Sequence, residues 1–326
     1  MQTSILESIC LDVRKLSRPL RVTDTMVLPK DFTAGRVMLF SRCHDFLNHM
    51  QLGEWHYHGL TISGISLAGV RTSLIIPEMS VGFDVAQGLP HALPMNTFLI
   101  SHGHMDHAAG VPYVISQKSM STHKTPRFLM PEVMVGPMKE IMNQWAKIEG
   151  HTHDYEFIAA KARETYELKA NFFIRPFQTV HKVPSLGYSI LRRFRKLRAD
   201  LAGHASEEIR ELKEKGEDVT EERQELVVSF TGDTQIEFLD VSPEVRDSRI
   251  LVMETTFFDE KRPIESARAW GHTHLDELLP RLSMIRSEKI VLIHSSARYS
   301  LDELHSILDK RLPEEEKERI VLFQGR

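Results

Sequence analysis

Three histidines and an aspartate fall within six residues of this chain, at His102, His104, Asp106 and His107. Histidines two apart in a loop can turn both imidazoles toward one cation, and Asp106 and His107 follow at once to serve a second. Imidazole nitrogen and carboxylate oxygen are the donors that suit zinc and its first-row neighbours. The flanks supply a platform. Phe98-Leu99-Ile100 reads as a buried strand, and Ala108-Ala109-Gly110-Val111-Pro112 as the small-residue start of a helix that packs closely. The cluster therefore sits at a strand's C-terminal end.

A single hexamer cannot close a two-metal site, and the same construction recurs. Phe172 to Val180 is an apolar strand leading to His181. Leu226 to Phe230 is a strand leading through a glycine turn to Asp233. Lys289 to Ile293 is a strand leading to His294. The ligand arithmetic then closes, with His102, His104 and His181 on one metal and Asp106, His107 and His294 on the other. Asp233 bridges them. Two cations about 3.5–4 Å apart can clamp a phosphate during in-line displacement. Asp84 interrupts the apolar strand Val81–Val85, and burial without a partner would be costly. It is expected to accept a hydrogen bond from a ligand histidine. The strand Arg249–Glu254 ends on a carboxylate, and Trp270-Gly271-His272-Thr273-His274 precedes a helix carrying Leu278, Leu279, Leu282 and Ile285. His272 held by Glu254 could protonate a leaving oxygen. His274 is the rival for that role, unless it caps the helix.

The elements around these residues read as a two-layer α/β enzyme. The chain has 326 residues, a net charge of −4 and no stretch of the roughly 20 apolar residues a membrane span needs. A polycation is excluded, so contact with nucleic acid would need a local basic patch. The two cysteines, Cys10 and Cys43, make no disulfide framework and point to a reducing compartment. The first 21 residues have no apolar core of a secretory signal, and their acids suit an organelle transit peptide poorly, so the expectation is cytoplasmic. Residues 1–55 read as an N-terminal extension with helical spacing from Ile5 to Leu16, and 56–326 as the hydrolase domain. His44, His49, His56 and His58 form no ligand pattern. Leu60–Ser63 and Ser73–Ile76 read as strands, with glycine turns at Gly64 and Gly69. Pro137 to Ile148 reads as a helix with Pro137 in its first turn and Met138, Ile141, Met142, Trp145 and Ile148 on a core face. His151-Thr152-His153-Asp154 follows a helix end and reads as a decoy of the first cluster.

The ligand series resembles that of the metallo-β-lactamase fold. The finer motifs resemble ribonuclease Z, the tRNA 3′-processing endonuclease, in its short form. These are His181-Lys182-Val183-Pro184-Ser185-Leu186-Gly187-Tyr188, Thr231-Gly232-Asp233-Thr234, Met253-Glu254-Thr255-Thr256-Phe257, Gly271-His272-Thr273-His274-Leu275 and His294-Ser295-Ser296-Ala297-Arg298-Tyr299. The likeness runs from about residue 57 to the C-terminus. It implies an αββα sandwich and two zinc ions per subunit, although manganese or iron also suit such ligands. It implies Asp106 as ligand and participant in water deprotonation, His272 and Glu254 as the proton-donor pair, and substrate contacts at Ser185 and Arg298. It further implies a homodimer in which one subunit holds the tRNA elbow while the other cuts.

An inserted arm lies where the family carries one, at about 191–225. It opens on Arg192, Arg193, Phe194, Arg195, Lys196, Leu197 and Arg198, and continues as a charged helical stretch from Glu207 to Lys215. The five basic residues are candidates for phosphate contacts. The competing reading is a solvated charged helix, because acids nearly cancel the bases. The expected function is zinc-dependent cleavage of the 3′ trailer from precursor tRNA. The alternative is a metal-dependent phosphodiesterase for small substrates such as cyclic nucleotides.

Overall fold

A computed structural model describes residues 51–121 and 124–326. Residues 1–50 of the N-terminal extension, with the expected helical stretch, Cys10, Cys43, His44 and His49, lie outside the described residues.

Two seven-stranded sheets form the centre. The first comprises β1 (Gly53–Tyr57), β2 (Leu60–Leu67), β3 (Arg71–Ile76), β4 (Val81–Phe83), β5 (Thr97–Leu99), β6 (Arg127–Pro131) and β7 (Glu156–Ala160), neighbours in that order. The second comprises β8 (Tyr166–Lys169), β9 (Phe172–Gln178), β10 (Leu186–Leu197), β11 (Thr220–Phe230), β12 (Ile250–Glu254), β13 (Lys289–Ile293) and β14 (Ile320–Leu322). Each sheet repeats one plan. An antiparallel meander, β1 to β4 or β8 to β11, passes into three parallel pairings.

The central strands read as unbroken apolar runs because both their faces are buried. In β12 and β13, Ile250, Val252, Val291 and Ile293 point between the sheets to meet Leu74, Phe83 and Leu99. Their alternates Leu251, Met253, Ile290 and Leu292 face the outer helices with Leu278, Leu304 and Leu308. On the other flank Phe98, Ile100, Phe128 and Met130 pack against Val111, Val114 and Met142. Phe83 and Phe230 join the sheets with ring centres 4.9 Å apart. This is the αββα sandwich.

Four local expectations are corrected. The sheet begins at Gly53, ahead of the expected domain start at residue 56. Gly64 is not in a turn; it lies inside β2 at φ 141, where a Cβ would strike the Ser73 carbonyl. The helix carrying Pro137 starts earlier, at Glu132, and holds that proline in its interior. Its apolar stripe is not all core: Met142 is buried, but Ile141, Trp145 and Ile148 are 42%, 44% and 71% exposed. Met134, Met138 and Met142 recur every four residues and take the sheet-facing side, so the apolar arc is wider than the packed face.

Candidate metal centre

The chemistry gathers where strands end. Beyond β5 the chain runs through Ser101 and His102 to His104, which caps the short helix Met105–Ala108 bearing Asp106 and His107. The His107 carbonyl accepts from the amides of Val85 and Ala86 at 2.9 and 3.1 Å, which pins this turn to the end of β4. Gly110 must be glycine there, since a Cβ would lie 1.9 Å from the Gly88 nitrogen. His181, Asp233, Glu254 and His294 follow the C-terminal ends of β9, β11, β12 and β13.

One set of donor atoms within 4.8 Å of each other comes from His102, His104, His181 and Asp233, another from Asp106, His107 and His294, and a third from Asp233, Glu254, His272 and His294. Asp233 lies between the sets. Its Oδ2 is 3.8 Å from His102 Nε2, while its Oδ1 is 3.3 Å from both His107 Nε2 and His294 Nε2. His107 Nε2, His294 Nε2 and Asp233 Oδ1 are buried without any hydrogen-bond partner. Three converging orphaned acceptors and donors would be expensive in a protein interior. Divalent cations bound by nitrogen and carboxylate oxygen fit this arrangement.

The outward ring nitrogens of His102, His107, His181, His272 and His294 are engaged, and two carboxylates direct most of them. Asp84, fully buried at the end of β4, accepts from Ser101 N at 2.7 Å, from Ser101 Oγ at 2.8 Å and from His107 Nδ1 at 2.7 Å. Because Ser101 Oγ gives its proton to Asp84, it accepts from His102 Nδ1 at 2.9 Å. Glu254 does the same work in the other half. It accepts from His272 Nδ1 at 2.9 Å and from Thr256 Oγ1 at 2.8 Å, and Thr256 Oγ1 in turn accepts from His294 Nδ1 at 3.1 Å. His181 Nδ1 donates to the Gly271 carbonyl at 2.8 Å. In the four ligand rings His102, His107, His181 and His294 the proton on Nδ1 leaves Nε2 free toward the centre. His104 differs, turning Nδ1 to within 2.9 Å of His102 Nε2.

His272 joins Glu254, His294 and Asp233 in the third set, with Nδ1 3.9 Å from Asp233 Oδ2. Burial works against its charge, but Glu254 outweighs that and pushes it up to about 9. Asp106 loses some ionisation tendency to burial, yet His294 and His107 hold it down at about 2. His274 is settled as a cap. It is buried, accepts from Asp276 N at 3.0 Å and meets the Asp259 carbonyl at 3.2 Å. His153 pairs with Glu149 at 2.6 Å and joins no donor cluster among the described residues.

Ser185 bonds Thr179 at 2.6 Å and lines a groove of about 630 Å³ with His181, Lys182 and Glu132. Arg298 is exposed just beyond His294. The arm is the outer half of β10 and β11 with a helix, Ser206–Glu214, at its tip. Its basic strand lies against an acidic one, with Arg192 opposite Glu225, Arg195 opposite Glu222 and Lys196 opposite Glu221. Arg195 is tied to Asp218, Arg198 to Asp200 at 2.6 Å and Arg193 more loosely to Glu222 at 3.9 Å. Arg192 and Lys196 carry no ion pair among the described residues and flank Phe194 on one strand face.

Residues 82–295 match the beta-lactamase superfamily domain. The chain is 30% identical over 267 residues to tRNase Z TRZ2, chloroplastic, of Arabidopsis thaliana, covering 81% of this chain and 75% of that protein. It belongs to the ribonuclease Z family. A second relative is tRNase Z TRZ1 of the same plant, 28% identical over 82% of this chain and 96% of that protein. The crystal structure of human tRNase Z, short form, shares the fold with a TM-score of 0.52 at 15% identity, over 80% of this chain and 95% of that one. The protein is thus a metal-dependent hydrolase of the β-lactamase superfamily.

The sequence reading passed over Ser101 and Thr256. Both stand inside recognisable motifs, but a hydroxyl that relays a carboxylate to a histidine has no signature of its own. It emerges only when β4 meets β5, and β12 meets β13.

Proposed function

We propose that this ribonuclease Z family member cleaves the 3′ trailer from precursor tRNA with two divalent cations, zinc in the first instance and manganese or iron as substitutes. One would be held by His102, His104 and His181, the other by Asp106, His107 and His294, with Asp233 between them. When bound, the cations supply Lewis acidity toward the phosphate and make water a nucleophile at neutral pH. Asp106 takes a proton from the attacking water. As its oxygen bonds to phosphorus, the bond to the 3′ oxygen breaks, and His272 gives that oxygen its proton. The tRNA leaves with a 3′-hydroxyl and the trailer with a 5′-phosphate. The observation that carries this reading is the His272–Glu254 pair, joined at 2.9 Å beside the cation site, because the ligand sets His102, His104, His181 and Asp106, His107, His294 with Asp233 leave it available as the proton donor. The tRNase Z names of the relatives supply the substrate.

Arg192 and Lys196 are the arm's candidates for phosphates of the tRNA body, with Arg193, Arg195 and Arg198 partly or wholly neutralised. Ser185 and Arg298 flank the reacting phosphate in this reading, and the hydrolase domain starts with β1 at Gly53, ahead of the expected boundary at 56. The protein works as a homodimer in the cytoplasm. The half-exposed Trp145, with Ile141 and Ile148, gives a second copy an apolar face to cover, which light scattering would test.

The deciding experiment is cleavage of an end-labelled precursor tRNA by metal-loaded and chelated protein, beside a small phosphodiester. A metal-dependent cut after the discriminator nucleotide supports the proposal. Turnover of the small diester with intact tRNA would leave the phosphodiesterase alternative.

A further inference from the structure

Trp270 ends the helix Ile264–Trp270 with 66% of its surface open to water. Gly271, at φ 82, then carries the chain straight to His272. That glycine is locked against the donor cluster. Its carbonyl accepts from His181 Nδ1, and a Cβ on it would come within 2.8 Å of the same nitrogen. The helix end that carries the indole is therefore fixed relative to the reacting centre. Lys182, next after His181, places Nζ 5.3 Å from the centre of the Trp270 ring. It is exposed and has no carboxylate partner among the described residues.

An exposed indole adds nothing to the core. Beside an acid that acts on a nucleotide it has an evident use, since every base offers a π-face for stacking and unpaired RNA bases are free to take it. We infer that Trp270 is the stacking platform for the unpaired base of the nucleotide whose 3′ oxygen leaves, and that Lys182 pairs with a phosphate next to it. The inference rests on the nuclease reading and adds the residue that sets which nucleotide is placed for cutting. The side is chosen by the acid. In-line displacement puts the leaving oxygen toward the group that protonates it, and Trp270 is two residues from His272 on a rigid turn. Lys182, a flexible point charge, suits a phosphate.

The test uses the metal-loaded full chain as wild type, Trp270→Ala, Trp270→Phe and Lys182→Ala. The substrates are precursor tRNA and two versions lacking one base, either just before the cut or just after it. Trp270→Ala should lower kcat/KM on intact precursor roughly tenfold or more, in keeping with the usual effect of removing a stacking partner. Trp270→Phe should keep most of the activity. Removing the base before the cut should slow wild type by a like factor and leave Trp270→Ala no slower than before. Removing the base after the cut should leave the full Trp270→Ala effect in place. Lys182→Ala should raise KM with little change in kcat.

Losses that simply add on the substrate lacking the base before the cut would overturn the inference. So would coupling to the base after the cut, or loss of bound metal in Trp270→Ala, which would mark a structural residue. A wild type that cuts precursor tRNA and a Trp270→Ala that cuts it equally well would sink the platform alone. A wild type that leaves it uncut would sink the nuclease reading and this inference together.

Discussion

Replacing Asp84 by asparagine changes one oxygen for a nitrogen in a site that has no room for a second donor. The carboxylate receives three hydrogen bonds, of 2.7, 2.8 and 2.7 Å, and faces no acceptor. Ser101 N is a backbone donor and cannot change. The amide oxygen of the substituted side chain must therefore stay on that side, which turns the new NH2 group toward His107 Nδ1 and Ser101 Oγ. His107 can escape the clash only by moving its proton to Nε2, the buried atom left unpartnered at the centre. Ser101 Oγ, no longer able to give its proton to a carboxylate, loses its hold on His102 Nδ1 as well. One substitution thus misdirects two ring nitrogens in opposite donor sets. Each hydrogen bond to a charged group is worth about 1.5–3 kcal/mol. A carboxylate that orients metal-bound histidines typically contributes a factor of roughly 10 to 100 in metal affinity. The expected result for Asp84→Asn is a loss of that size, measured by competition with a chromogenic chelator, in a protein that still unfolds cooperatively. Wild-type affinity for both equivalents of metal would refute the argument that Asp84 sets the tautomers.

Four further outcomes are expected. Glu254→Gln should cut kcat about 100-fold even at saturating metal, by kinetics across a metal titration. In the metal-free protein His272 is raised to about 9. The stability this pair adds is therefore fully present below about 6.5 and is lost as the pH climbs to 9. Denaturant unfolding across that window should show the decline in wild type and little of it in Glu254→Gln. Reversing the charges of Arg192 and Lys196 should raise KM for precursor tRNA roughly tenfold and flatten its salt dependence, sparing a small diester. An unchanged KM would remove the arm from the binding surface. Phe230→Ala opens a void between the sheets against Phe83 and should cost about 3–5 kcal/mol by chemical denaturation.

The sequence by itself determined the parts whose signal is local. Donor residues at the ends of apolar strands were legible because residue type, spacing and strand pattern lie within a few positions of each other. Buried strands in a layered α/β enzyme were legible for the same reason, since strands buried on both faces must be continuous apolar runs, whereas the αββα sandwich followed from the family resemblance of the motifs. The arm's helix showed in its charged repeat. Pairing across the chain was not legible. The basic run from Arg192 looks like a free positive patch until β11 brings Glu221, Glu222 and Glu225 opposite it. The stripe from Met138 to Ile148 looks like core because periodicity reports an apolar arc and not how much of that arc a sheet can reach. His272 and His274 are equal in the sequence, and only the neighbours decide between them. Glu254 takes the first, while the second is spent on capping a helix. Ligand tautomers lie furthest from the sequence. Asp84 and Glu254 set them through Ser101 and Thr256, and those contacts form only when strands distant along the chain pack side by side.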